Sequence, residues 1–298
     1  MNKVAGANVA GLTAILLWSL LAILPLMAGD VPPLLLLGTA CSFACAFLFV
    51  VWCIRYGNIR TPLSYITRKY FLINAGFLFA AEVTLIVAMQ AGDPMAAYLA
   101  LDIWPVFTLI FTAIILKQRL YMRHYIAAVL GVVGVCLLVL PDAAGVETVT
   151  LEQTMAAIFF GLCNAVIWSL YSVLNNKFQD IPADCVALPL TFCVASALIL
   201  HALVEPSYPL HQLTTEQWFA IIMLGVLPWG MAYALWGYAM RFGDIRMLSI
   251  YGYAMPLLGV AWLLAFGYAA LTLPIIAATV LILASAIMGS YKTQTEVS

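Results

Sequence analysis

Two carboxylates, Glu82 and Asp102, stand inside long apolar runs of the sequence. An ionisable side chain at membrane depth costs at least about 2.5 kcal/mol, so such a group is expected to face a protein-lined cavity and to find a partner there. Two kinds of chemistry suit it. One is contact with the ammonium group of a substrate, and the other is carriage of a proton between two states. The competing reading is structural, with Glu82 hydrogen-bonded to Tyr98 or to a helix-terminal amide.

Aromatic and polar side chains fall at helical spacing around these acids. Tyr98, Asp102 and Pro105 are i, i+4 and i+7 and share one face of a helix. Asn164, Trp168, Tyr171 and Asn175 form a second such face, Trp229, Tyr233 and Trp236 a third, and Ser249, Tyr253 and Pro256 a fourth. A wall of rings and amides with a single acid suits an amphipathic solute that carries a ring and an ammonium group. Trp and Tyr also form belts at membrane interfaces. Trp218 and Tyr70, at the ends of apolar runs, fit the belt. Trp18, Trp104, Trp168 and Trp236 lie nearer mid-run, where a belt has no reason to be. The candidate substrate contacts are therefore Trp18, Glu82, Tyr98, Asp102, Trp104, Asn164, Trp168, Tyr171, Tyr233, Trp236 and Tyr253.

Other chemistries find little support. The seven cysteines lie in or beside apolar runs without metal-ligand spacing, and Cys41 and Cys45, on one helix face, read as small packing residues. His124, His201 and His211 are scattered and receive no role. No nucleophile motif, phosphate loop or metal cluster appears, so no cofactor and no metal is expected, and nothing in the sequence offers a place for ATP. An intramembrane enzyme acting on lipid would need clustered His/Asp or Ser/His groups at one membrane face. The net charge of −1 gives no footprint for nucleic acid.

The elements that must position these residues are helices. Apolar residues make up 65% of the chain and charged residues 8%, whereas a soluble domain needs roughly a quarter charged. Apolar runs long enough to cross a bilayer, about 20 residues, are predicted at 6–28, 32–54, 70–91, 94–116, 124–140, 154–175, 184–204, 217–240, 246–268 and 271–290. The first is too long for a signal-peptide core and reads as an uncleaved span. With the N-terminus in the cytoplasm, all twelve Lys and Arg residues fall in inner segments, and the outer loops hold only acids such as Asp30, Asp93, Asp142, Glu147, Glu152, Glu205 and Glu216. Both termini are then cytoplasmic.

The ten spans also repeat. Leu17-Trp18-Ser19-Leu20 returns as Ile167-Trp168-Ser169-Leu170, and Ala88-Met89 with Gly92-Asp93 returns as Ala239-Met240 with Gly243-Asp244. Trp104-Pro105 returns as Met255-Pro256, and Ala127, Val129 and Leu130 as Ala278, Val280 and Leu281. Five helices per copy is an odd number, so the copies enter the membrane from opposite sides, an arrangement that supports alternating access around a midplane site. The predicted organisation is a first repeat over 1–140, an outer linker over 141–152, a second repeat over 153–290 and a cytoplasmic tail over 291–298, enclosing a central cavity. Pro105 and Pro256 cannot donate to the helix ladder, so each should kink its span, and the pair are candidate hinges. Gly92-Asp93-Pro94 and Gly243-Asp244 read as tight turns.

These features resemble the drug/metabolite transporter superfamily with its EamA repeats, over the whole chain. The residues that carry the resemblance are Leu17-Trp18-Ser19, Glu82, Trp104-Pro105, Trp168 with Asn176-Lys177, and Ala232-Tyr233-Ala234-x-Trp236. Within the superfamily they look most like the bacterial aromatic amino acid exporters of the YddG type. The resemblance implies a multi-pass protein of the bacterial inner membrane that exports aromatic or other neutral amino acids as a secondary transporter, with proton coupling open. Another metabolite class, such as a quaternary amine, a polyamine or a drug-like cation, is the alternative. A channel fits less well, because inverted halves with mid-span aromatics obstruct an open pore.

Overall fold

The computed structural model describes residues 3–91, 93–139, 150–268 and 270–290. All regular structure among them is helical. The principal elements are α1 (Lys3–Ala22), α2 (Pro33–Tyr56), α3 (Arg68–Gln90), α4 (Pro94–Leu101 continuing as Trp104–Ile115), α5 (Met122–Val139) and α6 (Leu151–Asn175). They are followed by α7 (Ala183–Val204), α8 (Thr215–Phe242), α9 (Ile245–Tyr251 continuing as Ala254–Ala265) and α10 (Leu273–Ser290). Eight of these have the length and apolarity to cross a bilayer, and α5 and α10 carry shorter apolar stretches. Of the predicted linker over 141–152, residues 141–149 lie outside the described residues, as do the tail over 291–298 and Gly92 of the first turn, while Leu151 and Glu152 already belong to α6.

Local chemistry explains the ends. Thr150 with Gln153 and Thr214 with Gln217 form capping boxes that start α6 and α8. The Asp93 carboxylate accepts from the Ala96 N–H at the start of α4, and that of Asp244 from the Arg246 and Met247 N–H groups at the start of α9. Gly57, at φ 71°, closes α2 through its N–H to the Cys53 carbonyl. The carboxylate of Glu205, beyond α7, accepts from the Leu34 and Leu35 N–H groups at 2.8 and 3.2 Å, and so caps α2 from across the bundle.

Both proline kinks are outright breaks. α4 is interrupted at Asp102–Ile103 and α9 at Gly252–Tyr253, each immediately N-terminal to Trp104-Pro105 or Ala254-Met255-Pro256. A proline has no N–H for the carbonyl four residues back, here Leu101 or Gly252, and its ring crowds that turn, so the ladder parts in the preceding residues. A third irregularity was not foreseen. Gly225–Met231 of α8 is a π-helical turn that contains Pro228.

Helices pack in pairs: α5 with α10, α3 with α6, α2 with α7, α1 with α8, α4 with α6, and α9 with α1. In lipid no hydrophobic effect pulls helices together, so close approach of backbones matters more. Gly225 backs onto the Ala40 carbonyl, and a Cβ at Gly161 would lie 2.8 Å from the Ala97 oxygen, so neither contact tolerates a larger residue. Tyr70 departs from the belt expectation. It is fully buried, its ring against Phe178 and the Arg241 guanidinium, because α3 turns it inward at the end of the bundle.

Candidate substrate cavity

A cavity of about 110 Å³ lies between α1, α3, α4, α6, α8 and α9. Its polar and aromatic wall is Trp18, Glu82, Trp104, Asn164, Trp168, Trp229 and Tyr233, and Leu21, Ala81, Leu85, Leu101 and Met255 complete it.

Hydrogen bonds from two of the indole N–H groups fix their rings. Trp18 Nε1 donates to the Pro228 carbonyl at 2.9 Å, an acceptor that belongs to the π-helical turn of α8. Trp236 Nε1 donates to Ser172 Oγ at 3.0 Å. From the anchored Trp18 and Trp236 the rings meet edge to face: Trp18–Trp168 at 5.2 Å and 82°, Trp18–Trp236 at 5.2 Å and 64°, and Trp104–Trp236 at 5.9 Å and 82°. These are favourable quadrupolar geometries, worth about 0.5–1.5 kcal/mol each beyond burial. The wall therefore stands preorganised before any solute enters.

Glu82 is buried, and the Tyr233 hydroxyl donates to its Oε1. This replaces the Tyr98 partner expected from the sequence, since Tyr98 points away on the outer flank of α4 and is half exposed. The Trp229 indole also donates to the Glu82 carboxylate, and with two such donors the acid still keeps acceptor capacity toward the cavity. Asn164 donates its amide N–H groups to the Ala81 carbonyl and to Thr84 Oγ1, and so locks α6 to α3. Ser169, beside Trp168, donates to the Trp104 carbonyl at 2.7 Å and accepts from Thr108, which satisfies backbone just beyond the break in α4. Ser19, beside Trp18, accepts from Trp262 Nε1 of α9 at 2.9 Å.

Of the eleven sequence candidates, Trp18, Glu82, Trp104, Asn164, Trp168 and Tyr233 line the cavity, and Trp236 and Tyr171 pack directly behind its rings. Three lie elsewhere. Tyr98 is on the flank, Asp102 lines a separate pocket between α4, α5 and α6, and Tyr253 packs with Val135, Ala278 and Ile282 against α5 and α10. The reason is angular. Leu101 and Trp104 of α4 face the cavity, so Asp102 between them must turn away from it.

Two features were missed in the sequence. Pro228, a proline inside an apolar run, signals the π-helical turn. Arg241 had been counted only as an inner-loop charge, yet it is buried, donating to the Ile181 carbonyl and to Asn175 Oδ1 at 3.1 Å with its Nε unpartnered.

The EamA-like transporter family model matches residues 6–140 and 155–291. The chain belongs to the EamA-like transporter family. Membership makes the protein a multi-pass membrane transporter of a small molecule rather than an enzyme. Among relatives, the aromatic amino acid exporter YddG of Ancylobacter novellus is 32% identical over 253 residues, 83% of each chain. The transporter YyaM of Bacillus subtilis, itself uncharacterized, is 19% identical over 67% of this chain and 66% of its own. A solved crystal structure matches with a TM-score of 0.88 at 29% identity over 96% of both chains. The EamA fold thus frames a cavity whose walls are rings and whose one acid is Glu82.

Proposed function

We propose that this EamA transporter exports aromatic or other neutral amino acids across a bacterial inner membrane by alternating access, with the central cavity as its substrate site. The observation that carries the reading is the wall itself. Trp18, Trp104, Trp168, Trp229 and Tyr233 offer rings to an aromatic side chain, and the Glu82 carboxylate in the same wall has acceptor capacity left for an α-ammonium group. That a relative is an aromatic amino acid exporter agrees with this chemistry.

The architecture we propose is ten crossings in two inverted halves, the first over 1–140 and the second over 153–290, with both termini cytoplasmic. Three observations support it. Helix pairing keeps its pattern when each helix is exchanged for the one five positions away: α1 with α8 becomes α6 with α3, α4 with α6 becomes α9 with α1, and α2 with α7 and α5 with α10 map onto themselves. Asp93 and Asp244, 151 residues apart, cap equivalent helices, and the breaks at 102–103 and 252–253 occupy equivalent sites. Glu82 and Tyr233 are also 151 residues apart and bonded to each other, as expected of mates beside an axis that relates the halves. Pro105 and Pro256 are then paired hinges, and replacing either with Ala should slow turnover more than it weakens substrate binding.

The decisive experiment is uptake of labelled phenylalanine, tryptophan and leucine into proteoliposomes, with and without a pH gradient. Saturable transport of the aromatic pair, sensitive to Trp168→Ala, is expected. Failure to move any neutral amino acid would remove this reading, and dependence on the gradient would add proton coupling to it.

A further inference from the structure

The pocket that holds Asp102 is separate from the central cavity and larger, about 420 Å³. Its walls come from α4, α5 and α6 and are apolar: Leu99, Ile103, Val132, Val135, Cys136 and Leu162 among them. On the same helices, next in sequence to or one turn from the lining residues, Val129, Val133, Met155 and Phe159 form exposed apolar surface, which in a membrane protein faces lipid.

Asp102 is 7% exposed, and its carboxylate makes no hydrogen bond or ion pair among the described residues. It does not cap the helix that follows, for the N-cap of Trp104–Ile115 is Ile103 and carries no side-chain bond. The other polar wall residue, Thr154, has committed its hydroxyl to Asp93 at 2.7 Å. No Lys, Arg or His lines the pocket. Asp102 therefore has no structural task that would account for it. An ionised carboxylate held among apolar side chains without a partner is strongly disfavoured, and an opposite charge brought next to it relieves that cost.

We infer that this lateral pocket is a second ligand site, one that takes a lipophilic organic cation from the bilayer with its cationic head against Asp102 and its apolar body among the α4, α5 and α6 side chains. Charge complementarity sets the occupant. A neutral or anionic molecule of the same body gains only the apolar walls, which the lipid chains offer equally well, whereas the cation also gains the carboxylate. Entry from the side fits the lipid-facing rim. The site does not rest on the amino acid reading of the central cavity.

Cys136 lies in the wall and serves as a native reporter. The purified protein in lipid nanodiscs would be treated with a membrane-permeant maleimide, and alkylation at Cys136 followed by peptide mass spectrometry. The competitors are decyltrimethylammonium, decanol and decyl sulfate, one chain with three head-group charges. The expected result is saturable protection by the cation alone, at concentrations at least tenfold below those at which the other two act. Asp102→Asn should abolish the difference and Asp102→Glu should retain it. Leu162→Trp, which fills the pocket with Asp102 still present, should also remove protection, and so guards against a folding defect in the Asn variant. Equal protection by all three competitors, or unchanged protection in Asp102→Asn, would overturn the inference. Protection that is lost in Glu82→Gln or reversed by phenylalanine would overturn it too, by moving the cation to the central cavity.

Discussion

Two acid–tyrosine pairs run through this molecule at the same separation, and they have opposite fates. Glu82 and Tyr233, 151 residues apart, meet across the central cavity, where the tyrosine hydroxyl donates to the acid. Asp102 and Tyr253 are also 151 residues apart, yet each is buried, and neither side chain has a hydrogen-bond partner among the described residues. The first pair is closed, and Trp229 donates to the same acid. The second is open, with its acid facing an apolar pocket. Sequence offset alone does not make a contact. What differs is the helix geometry: α3 and α8 run past the cavity with inward faces matched, whereas α4 and α9 are broken at the very residues concerned.

The comparison breaks most visibly at Glu82. Glu82→Gln keeps size and the possibility of a bond to Tyr233 but removes the charge that would meet a substrate ammonium. A hydrogen bond to a charged group contributes about 1.5–3 kcal/mol, so transport of a zwitterion should fall by roughly 10- to 100-fold. The check is the initial rate in proteoliposomes at equal protein insertion. A rate within about twofold of wild type, a difference of under ~0.5 kcal/mol, would assign the acid to structure.

Tyr233→Phe sharpens the same contrast with a smaller effect. The ring stays against Trp18 and Trp168, at 5.9 and 5.7 Å, while Glu82 loses one of its two donors and keeps Trp229. The loss of one hydrogen bond, about 1 kcal/mol, predicts roughly a fivefold decrease in apparent affinity with the aromatic preference unchanged. Measurement across a phenylalanine, tryptophan and leucine series separates affinity from preference. A collapse of preference would mean that the hydroxyl orients the ring wall rather than the acid.

Much of the scaffold was legible because lipid imposes hard rules. Length and apolarity locate most helices to within about three residues, from Pro33–Tyr56 against an expected 32–54 to Ala183–Val204 against 184–204, whereas α1 ends at Ala22 against an expected 28. Side-chain faces were legible where a helix is continuous. Asn164, Trp168 and Tyr171 on α6, and Tyr233 and Trp236 on α8, do converge on or behind the cavity rings. On α4 the same reasoning failed in a way the sequence itself contained. Asp102 and Trp104, about 200° apart around a helix, cannot both face one cavity, and Trp104 took the place. The π-helical turn was illegible for another reason. Pro228 announces a disturbance, but its form involves Trp18 of α1, whose Nε1–H donates to the Pro228 carbonyl across 210 residues of sequence.

The smallest effect on transport is expected at Asp102, and it carries an unusual sign for stability. Because Asp102 faces away from the central cavity, Asp102→Leu should leave phenylalanine transport within about twofold of wild type, a change of less than ~0.5 kcal/mol in the barrier. The same substitution removes a buried polar group that has no partner and replaces it with a side chain of the kind already lining the pocket. Leaving such a group unsatisfied costs about 1–3 kcal/mol, so its removal should raise the thermal midpoint instead of lowering it. Glu82→Leu, by contrast, strands the Tyr233 hydroxyl and should lower the midpoint. Paired thermal unfolding of the two Leu variants in one detergent, read by tryptophan fluorescence, tests the sign directly. A lower midpoint for Asp102→Leu would mean that Asp102 has a stabilising partner after all, and the two acids would then differ in position but not in kind.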